Sequence, residues 1–484
     1  MTTSPTSATL ASPAITCRRG EPRAAAMSEA ELIESLCAEH NATRELCTAA
    51  PMTTGPATLH TRDMRTSRST HSPPRSVAIV GAGMTGLATA WFLQERDVAV
   101  TVIDRDRIAA GASWGNAGWL TPSLAAPLPD PAVLRYGIRA VLDPSSPVYL
   151  PLPIGPRLLQ FLTRFARNST AARWRRSMAA LVPINNRALP AYDHLIDGGV
   201  NARTQPANPF LAAFRTEPER THLLNELNHV RAAGLDVHFD LLDREEVHAM
   251  EPLLGDEIGA AIRLHDQRFI NPGTFATELA AAVERRGGTF RLGTEVTAVE
   301  NTQNAAVTRT DTNDTEAFDA VVLANGAWLD RLAQPHGIRM PVQAGRGYSF
   351  SVPTPHLPRG PLYFPHQRLA CTPLGDKLRI AGMMEFRSPD APLDPRRITA
   401  IINSIRPLLN ISDPVDRVHD WVGSRPCTHD GLPLIGRTRS PRVYVTGGHG
   451  MWGITLGPAT GELLADLITT GETPNELAAF DPLR

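Results

Sequence analysis

An α/β fold is predicted, with a dinucleotide-binding Rossmann-like domain interleaved with a mixed antiparallel-sheet substrate domain. Three observations predict it. Val77-Ala78-Ile79-Val80, an apolar run, leads directly into Gly81-Ala82-Gly83-Met84-Thr85-Gly86 and then into a helical pattern. Runs of the same kind return far downstream, at Ala320-Val321-Val322-Leu323 and Val443-Tyr444-Val445-Thr446. Between these blocks, 125–260 reads as helices and short alternating strands, and 340–390 as antiparallel strands. A continuous apolar run is the mark of a strand buried on both faces, as in a parallel sheet covered by helices.

Taken in order, residues 1–75 are rich in Ser, Thr, Pro, Ala and Arg and are expected to form a disordered N-terminal extension, with helical spacing only over 28–49. Thr85–Arg96 reads as a helix with Leu87, Trp91 and Leu93 inward, and Val98–Ile103 as the next strand. That is a parallel crossover unit of the usual size. Phe275–Arg286 is helical, and Thr289–Leu292 and Glu295–Glu300 are short strands. Tyr348–Val352, Leu369–Thr372 and Leu378–Met383 are the antiparallel strands. A final helix is expected over Pro458–Thr469, with Pro458 in its first turn, where a missing N–H costs nothing. The expected division is a cofactor-binding domain from 76–125, 261–339 and 415–470, a substrate domain from 126–260 and 340–414, and a tail over 471–484.

Composition excludes several classes. Of 484 residues, 42% are hydrophobic and 20% charged, which rules out wholesale disorder. The 48 basic residues against 49 acidic ones argue against a nucleic-acid partner. Lys377 is the only lysine, so the phosphate loop ending in Gly-Lys is absent. Cys17, Cys37, Cys47, Cys371 and Cys427 form no CxxC pair, and HExxH is missing, so no metal site is expected. No apolar run reaches the roughly 18 residues a membrane span needs, and the default compartment is the cytoplasm. One stretch qualifies this: Leu158, Leu162 and Phe165 share one helical face while Arg157, Arg164 and Arg167 share another, and Arg173, Arg175 and Arg176 follow. A basic amphipathic helix can lie on an anionic surface, so 157–176 is a candidate for peripheral contact with the inner membrane face.

Four motifs carry chemistry. In the first, glycines 81, 83 and 86 permit a tight turn, close approach of backbone to a pyrophosphate and close helix–strand packing. The helix N-terminus attracts phosphate, and Asp104, ending the next strand, is placed to accept from ribose hydroxyls. In the second, Gly111-Ala112-Ser113-Trp114-Gly115 matches a hydrolase nucleophile elbow, with His449 downstream as partner. Its flanks lack the strand and helix an elbow needs, so a small-residue loop past a flat cofactor is the better reading, with Ser113 and Asn116 as polar contacts. The third, Thr446 to Pro458, clusters glycines at a strand–helix junction, where a helix N-terminus could stabilise an anionic flavin. In the fourth, Arg425 lies on a strand before an Asp430-Gly431 turn. A fixed guanidinium suits a carboxylate, although a structural ion pair is the alternative.

With these motifs together, from about Ser76 to Asp466, the chain resembles the FAD-dependent D-amino-acid oxidase superfamily, and most of all its D-amino-acid dehydrogenase (deaminating) branch. VAIVGAGMTGLATA (77–90), GASWGNAGWLTP (111–122), PVQAGRGYSF (341–350), GSRPCTHDGLPLIG (423–436) and TGGHGMWGITLGPATG (446–461) carry the resemblance. It implies an FAD-binding Rossmann-like domain. Gly81, Gly83, Met84, Thr85, Gly86 and Asp104 would bind the cofactor at its adenosine diphosphate half. Arg105, Ser113, Asn116, Ala117 and Gly118 would line the flavin and its phosphates, and Val296 would meet adenine through backbone. Asn325 and Gly326 would lie by the cofactor, and Gly450, Met451, Gly453, Ile454 and Thr455 would face the flavin ring. Arg425 would grip the substrate carboxylate, with Tyr348 as a substrate-site tyrosine. Two departures matter. Related sarcosine oxidases link flavin through a Cys where this chain has Gly423, with Cys427 four residues away, so non-covalent FAD is expected. They also use a lysine over the flavin, and Lys377 is out of register with it, which favours a dehydrogenase passing electrons to a quinone or other carrier. The expected partners are a small amino-acid substrate and that acceptor. The alternatives are a sarcosine, glycine or cyclic-amino-acid oxidase on the same fold, a flavoprotein without catalysis, and a serine hydrolase using Ser113.

Overall fold

The computed structural model describes residues 72–134, 148–149, 154–411 and 416–484, so the N-terminal extension and its 28–49 helix lie almost wholly outside the described residues. Ser76–Val80 pairs in parallel with Ala99–Asp104 on one side and Ala320–Leu323 on the other. It is a central strand of a six-stranded sheet. Thr289–Leu292 and Val443–Gly447 extend the sheet in parallel, and Leu434–Arg437 closes one edge antiparallel. Val77 and Ile79 pack into the helical layer on one face, Ala78 and Val80 into a second core on the other. Burial on both faces is why this strand has no polar alternation. The second face is covered by an antiparallel meander, Val296–Asn301, Ala306–Thr310 and Thr315–Phe318, of which only the first strand was expected.

The helix Met84–Gln94 packs on Gly453–Thr470 through missing side chains. A Cβ on Gly461 would stand 2.6 Å from the Thr89 backbone nitrogen, and one on Gly457 2.8 Å from Met84 Cγ. The second helix corrects an expectation. It begins at Gly453, so Pro458 lies in its interior rather than its first turn. An interior proline leaves the carbonyl four residues back without its helical donor. Here that carbonyl belongs to Ile454, and the buried Tyr192 hydroxyl donates to it at 2.7 Å. The proline is tolerated because another helix, Ala171–Asp197, supplies the missing donor.

Besides the meander, the chain makes two long excursions from the six-stranded sheet and returns from each. The intervening segments build a nine-stranded sheet, in which Val418–Cys427, Gln343–Pro353, Lys377–Phe386, Leu369–Leu374, Leu362–Phe364 and Phe210–Phe214 are successive neighbours. Gln343–Pro353 has two distinct faces. Tyr348, Phe350 and Val352 point into an apolar core with Ile398 and Ile401. On the other face the Ser349 hydroxyl donates to the Gly115 carbonyl at 2.7 Å, and Ser351 accepts from Arg379 Nε at 2.9 Å. The sheet thus turns one side to its own core and the other to the glycine-rich 111–118 loop.

The amphipathic segment is a helix over Pro156–Asn168. Its Leu158, Phe161 and Phe165 are buried against Met384, Phe386 and Cys427, so the apolar stripe is occupied by the protein's own core. Among the described residues, no helix is long and apolar enough to cross a membrane.

Gly461→Leu should separate the two packed helices. Overpacking of this kind costs about 1–3 kcal/mol. Thermal unfolding followed by ellipticity and by release of flavin fluorescence should both shift to lower temperature. An unchanged midpoint in both would show that the helix contact tolerates a side chain.

Candidate active site

A cleft of about 280 Å³ opens where the six-stranded sheet's strands end. Gly81, Gly83, Met84 and Thr85 form one wall. Gly81 has φ +118°, and a Cβ there would lie 2.5 Å from the Ala324 carbonyl oxygen, so only glycine fits. Gly86 is not in the wall: a Cβ on it would overlap the Gly81 carbonyl, so it packs the helix against the turn. Asp104 is held by two backbone donors, Ala82 N–H at 2.7 Å and Asp106 N–H at 2.9 Å. Asp104 lines the cleft beside them. Arg105 lies 4.1 Å over the Trp328 ring, and Val296, Asn325 and Gly326 border the same space.

The remaining wall comes from Ser113, Asn116, Gly450, Met451, Gly453 and Ile454. Three expected residues stand elsewhere. Gly118, at φ +82°, is forced by the close Ile270 carbonyl, and it borders neither cavity described here. Ala117 and Thr455 line the adjoining cavity instead. Sequence reasoning missed Trp328 and Thr446, which also border the cleft.

FAD fits this cleft on grounds internal to the structure. Both helices whose first turns reach it, Met84–Gln94 and Gly453–Thr470, start with no side-chain cap and no acidic residue in the first turn. Apart from the Met84 N–H, which donates to Ser113 Oγ, their first-turn N–H groups are therefore available to phosphate and to an electron-rich ring. The buried Asn325 Oδ1 and Thr446 Oγ1 have no hydrogen-bond partner and border the same cleft. Orphaned polar atoms of this kind call for a polar ligand.

A second cavity of about 590 Å³ adjoins the first, and Asn116, Arg425 and Met451 border both. A registered row across five strands underlies it, Trp421, Ser349, Ala381, Ala370 and Tyr363, of which all but the buried Ser349 line the floor. Small side chains in the middle of the row hollow the floor between two aromatic ends. Arg425 sits beside this row. Its Nη1 donates to the Met383 carbonyl at 2.8 Å, and burial holds its pKa below the ordinary guanidinium value. Among the described residues it has no acidic partner. A Cβ on Gly347 would overlap the guanidinium, so Arg425 lies directly on bare backbone. Met383, at φ +68°, occupies the left-handed region where the strand bulges against Gly347. That bulge aims its carbonyl at Arg425.

Tyr348 does not join Arg425. Its hydroxyl donates to Glu385 Oε2 at 2.6 Å, and Glu385 pairs with fully buried Arg346 at 3.1 Å. Although Tyr348 abuts the cavity wall, its hydroxyl is committed to a buried network on the opposite face of the strand. One feature absent from sequence reasoning is Glu226, on the helix Glu217–Ala232. It faces the larger cavity together with Tyr363, Arg368, Asp130 and His222. Burial, and then Asp130, raise its pKa to about 7, while Arg368 pulls it down.

The nucleophile-elbow alternative loses its geometry. Residues 109–115 form turns, and Ser113 Oγ accepts from the Met84 N–H at 3.2 Å. His449 Nε2 is bonded to Thr460 at 3.0 Å, and burial depresses its pKa to about 4. Cys427 is buried against Gly345, its thiol pushed up to about 11 by burial. Lys377 pairs with Asp376 at a hairpin turn and borders neither cavity.

A glycine-cradled nucleotide cleft opening into a substrate-sized cavity defines a flavin-dependent oxidoreductase. The family model for DAO, FAD dependent oxidoreductase, matches residues 76–467, and the chain belongs to that family. The chain is 31% identical over 415 residues to a D-amino acid dehydrogenase of Methylobacterium radiotolerans, covering 84% of this chain and 98% of that one. A D-amino acid dehydrogenase of Cereibacter sphaeroides is 31% identical over 404 residues, covering 81% and 91%. Among solved structures, glycine oxidase from Geobacillus kaustophilus superimposes with a TM-score of 0.65 at 25% identity, covering 84% of this chain and 98% of that one.

Two predictions concern this geometry. Gly347→Ala should displace the Arg425 guanidinium, the movable end of a flexible side chain, and leave the fold intact. The loss of a charge-assisted contact is worth about 1.5–3 kcal/mol, so KM should rise roughly ten- to a hundredfold with FAD content unchanged. Steady-state kinetics beside flavin absorbance checks both. Glu226→Gln should alter stability with pH. A carboxyl whose pKa is raised on folding stabilises the fold when protonated and loses that contribution as pH climbs through its folded value, here about 7. Glutamine mimics the protonated form. The variant should melt higher than wild type above pH 7 and match it near pH 4; equal melting at both would show that Glu226 is solvated.

Proposed function

We propose that this flavoenzyme oxidatively deaminates D-amino acids, with Arg425 holding the substrate carboxylate. The carrying observation is the position of Arg425: between the two cavities, partly buried, and without an acid among the described residues. A desolvated permanent cation requires an anion. An α-carboxylate supplies one and brings Cα to the boundary of the cofactor cleft. The relatives named D-amino acid dehydrogenase support both the substrate class and its configuration. A cavity of about 590 Å³ argues against glycine or sarcosine as the natural fit.

FAD held between the Gly81–Thr85 turn and the Gly450–Ile454 segment would supply a hydride acceptor for Cα of the neutral amine, and the resulting imine would be hydrolysed by water to a keto acid and ammonia. The chain's own contribution is orientation and exclusion of water. The planar fork of Arg425 fixes two carboxylate oxygens. Met383 occupies one guanidinium donor and so sets the fork's direction. Trp421, Met451 and Trp452 wall the reacting end. No side-chain base is needed at Cα for a hydride transfer.

FAD is held without a covalent bond, a reading supported by the inward, protonated Cys427. We take 76–125, 261–339 and 415–470 as the FAD-binding domain, and 126–260 and 340–414 as the substrate domain. The acceptor is a quinone or other non-oxygen carrier. Support comes from the relatives' designation as dehydrogenases and from the distance of the only lysine from both cavities. For peripheral membrane contact, the remaining support is Leu159, 56% exposed, beside exposed Arg157, Arg167, Arg173, Arg175 and Arg176.

The purified protein should be yellow, release FAD on denaturation, and bleach anaerobically with D-amino acids. Arg425→Lys and Arg425→Ala should both lose about thirtyfold or more in kcat/KM, since removing one partner of a buried charge pair costs about 2–5 kcal/mol. Equal flavin reduction in all three proteins would make Arg425 a structural residue, and loss of FAD in the variants would assign it to cofactor retention.

A further inference from the structure

The larger cavity has two polar ends. At one, Arg425 lies over Gly347. At the other stand Tyr363 and Glu226, which are close enough for Glu226 to raise the tyrosine's pKa. Gly347 and Tyr363 lie three strands apart in the sheet order and two residues out of register, since Tyr363 aligns with Ser349. At the usual strand spacing and rise this is about 15 Å. Subtracting about 3 Å for a hydrogen bond at each end leaves roughly the length of an extended lysine or arginine from carboxylate to terminal nitrogen. The space between is apolar and suited to methylenes, with Leu124, Leu162, Phe165, Met383 and Phe386 on its walls.

Glu226 is the unusual group here. Its carboxylate has no hydrogen bond or ion pair among the described residues. The charged neighbours facing it are Asp130, Arg368 and His222. Asp130 is occupied by the Ala132 and Val133 N–H groups at 2.6 and 3.3 Å, with His222 Nε2 at 3.9 Å. Asp130 and Arg368 offset one another, so ionisation of Glu226 leaves this end with one negative charge in excess. A carboxylate set in a largely apolar wall gains from a cation and loses from an anion.

We propose that Glu226 is a specificity-determining residue that receives the cationic end of a basic D-amino acid whose carboxylate is held by Arg425. This rests on the deamination reading above and adds the substrate class: side chains ending in guanidinium or ammonium. Asp130 strengthens the site's negative character, while Arg368 limits it and disfavours a second cation.

The test is anaerobic flavin reduction of the FAD-loaded full chain with matched pairs: D-arginine against D-citrulline, and D-lysine against D-norleucine. Each pair keeps length and removes charge. Wild type should favour the charged member by about tenfold or more in the ratio of reduction rate to Kd, the worth of one charge-assisted contact. In Glu226→Gln and Glu226→Ala the preference should fall to about twofold or less, chiefly through slower reduction by the charged members, with FAD content unaltered. A preference that survives in both variants, or a wild type that favours the neutral members or D-glutamate, overturns the assignment. If none of these amino acids reduces the flavin of an otherwise intact, FAD-loaded protein, the deamination reading itself fails, an outcome separate from loss of discrimination alone.

Discussion

Arg425 brings a permanent positive charge to the junction of two cavities, and no acid among the described residues neutralises it. Much of the surrounding architecture follows from keeping it there. The middle strand must present bare backbone at Gly347, because any side chain would occupy the guanidinium's place. The neighbouring strand must bulge so that Met383 turns a carbonyl to Nη1, and that residue accepts a left-handed backbone to do so. For a non-glycine residue this conformation costs of order 1 kcal/mol or more. The chargeable thiol nearby, Cys427, stays protonated and offers no competing anion.

The cofactor side depends on a different constraint, the close approach of backbones. The Gly81 turn touches Ala324, the next helix rests on Gly86, and the C-terminal helix reaches it through Gly457 and Gly461. These contacts bring two uncapped helix N-termini to one cleft. The two sides are joined by a short piece of chain. Arg425 lies on a strand of the large sheet, and within ten residues the chain enters Leu434–Arg437 of the smaller one. Arg425 and the cofactor wall are therefore covalently near as well as spatially near.

The cofactor half was the more legible in sequence because its determinants are local. Gly81, Gly83 and Asp104 declare themselves through a strand, a turn and a helix that are contiguous. Thr289–Leu292 and Ala320–Leu323 follow the predicted bounds for the same reason. The reading weakened where two elements meet. Pro458 looks like a helix start until Tyr192, from a remote helix, satisfies the carbonyl it strands. Tyr348 is adjacent in sequence to Gly347, yet alternation sends the two to opposite faces, and which face meets the cofactor depends on the partner sheet. Glu226 carries no motif, since the cavity it borders is assembled from strands and a helix distant in sequence.

The chain's basic residues have a consequence beyond folding. Forty-seven of its 48 are arginines, and the one lysine lies at a hairpin turn outside both cavities. Guanidinium charge does not titrate in the physiological range, and acetylation and ubiquitin attachment act on lysine amines. Positive charge on this surface is therefore almost beyond the reach of lysine-directed regulation. The same scarcity means that an amine-reactive dye or tether finds a single side chain, Lys377, and leaves the entrance to the site uncovered.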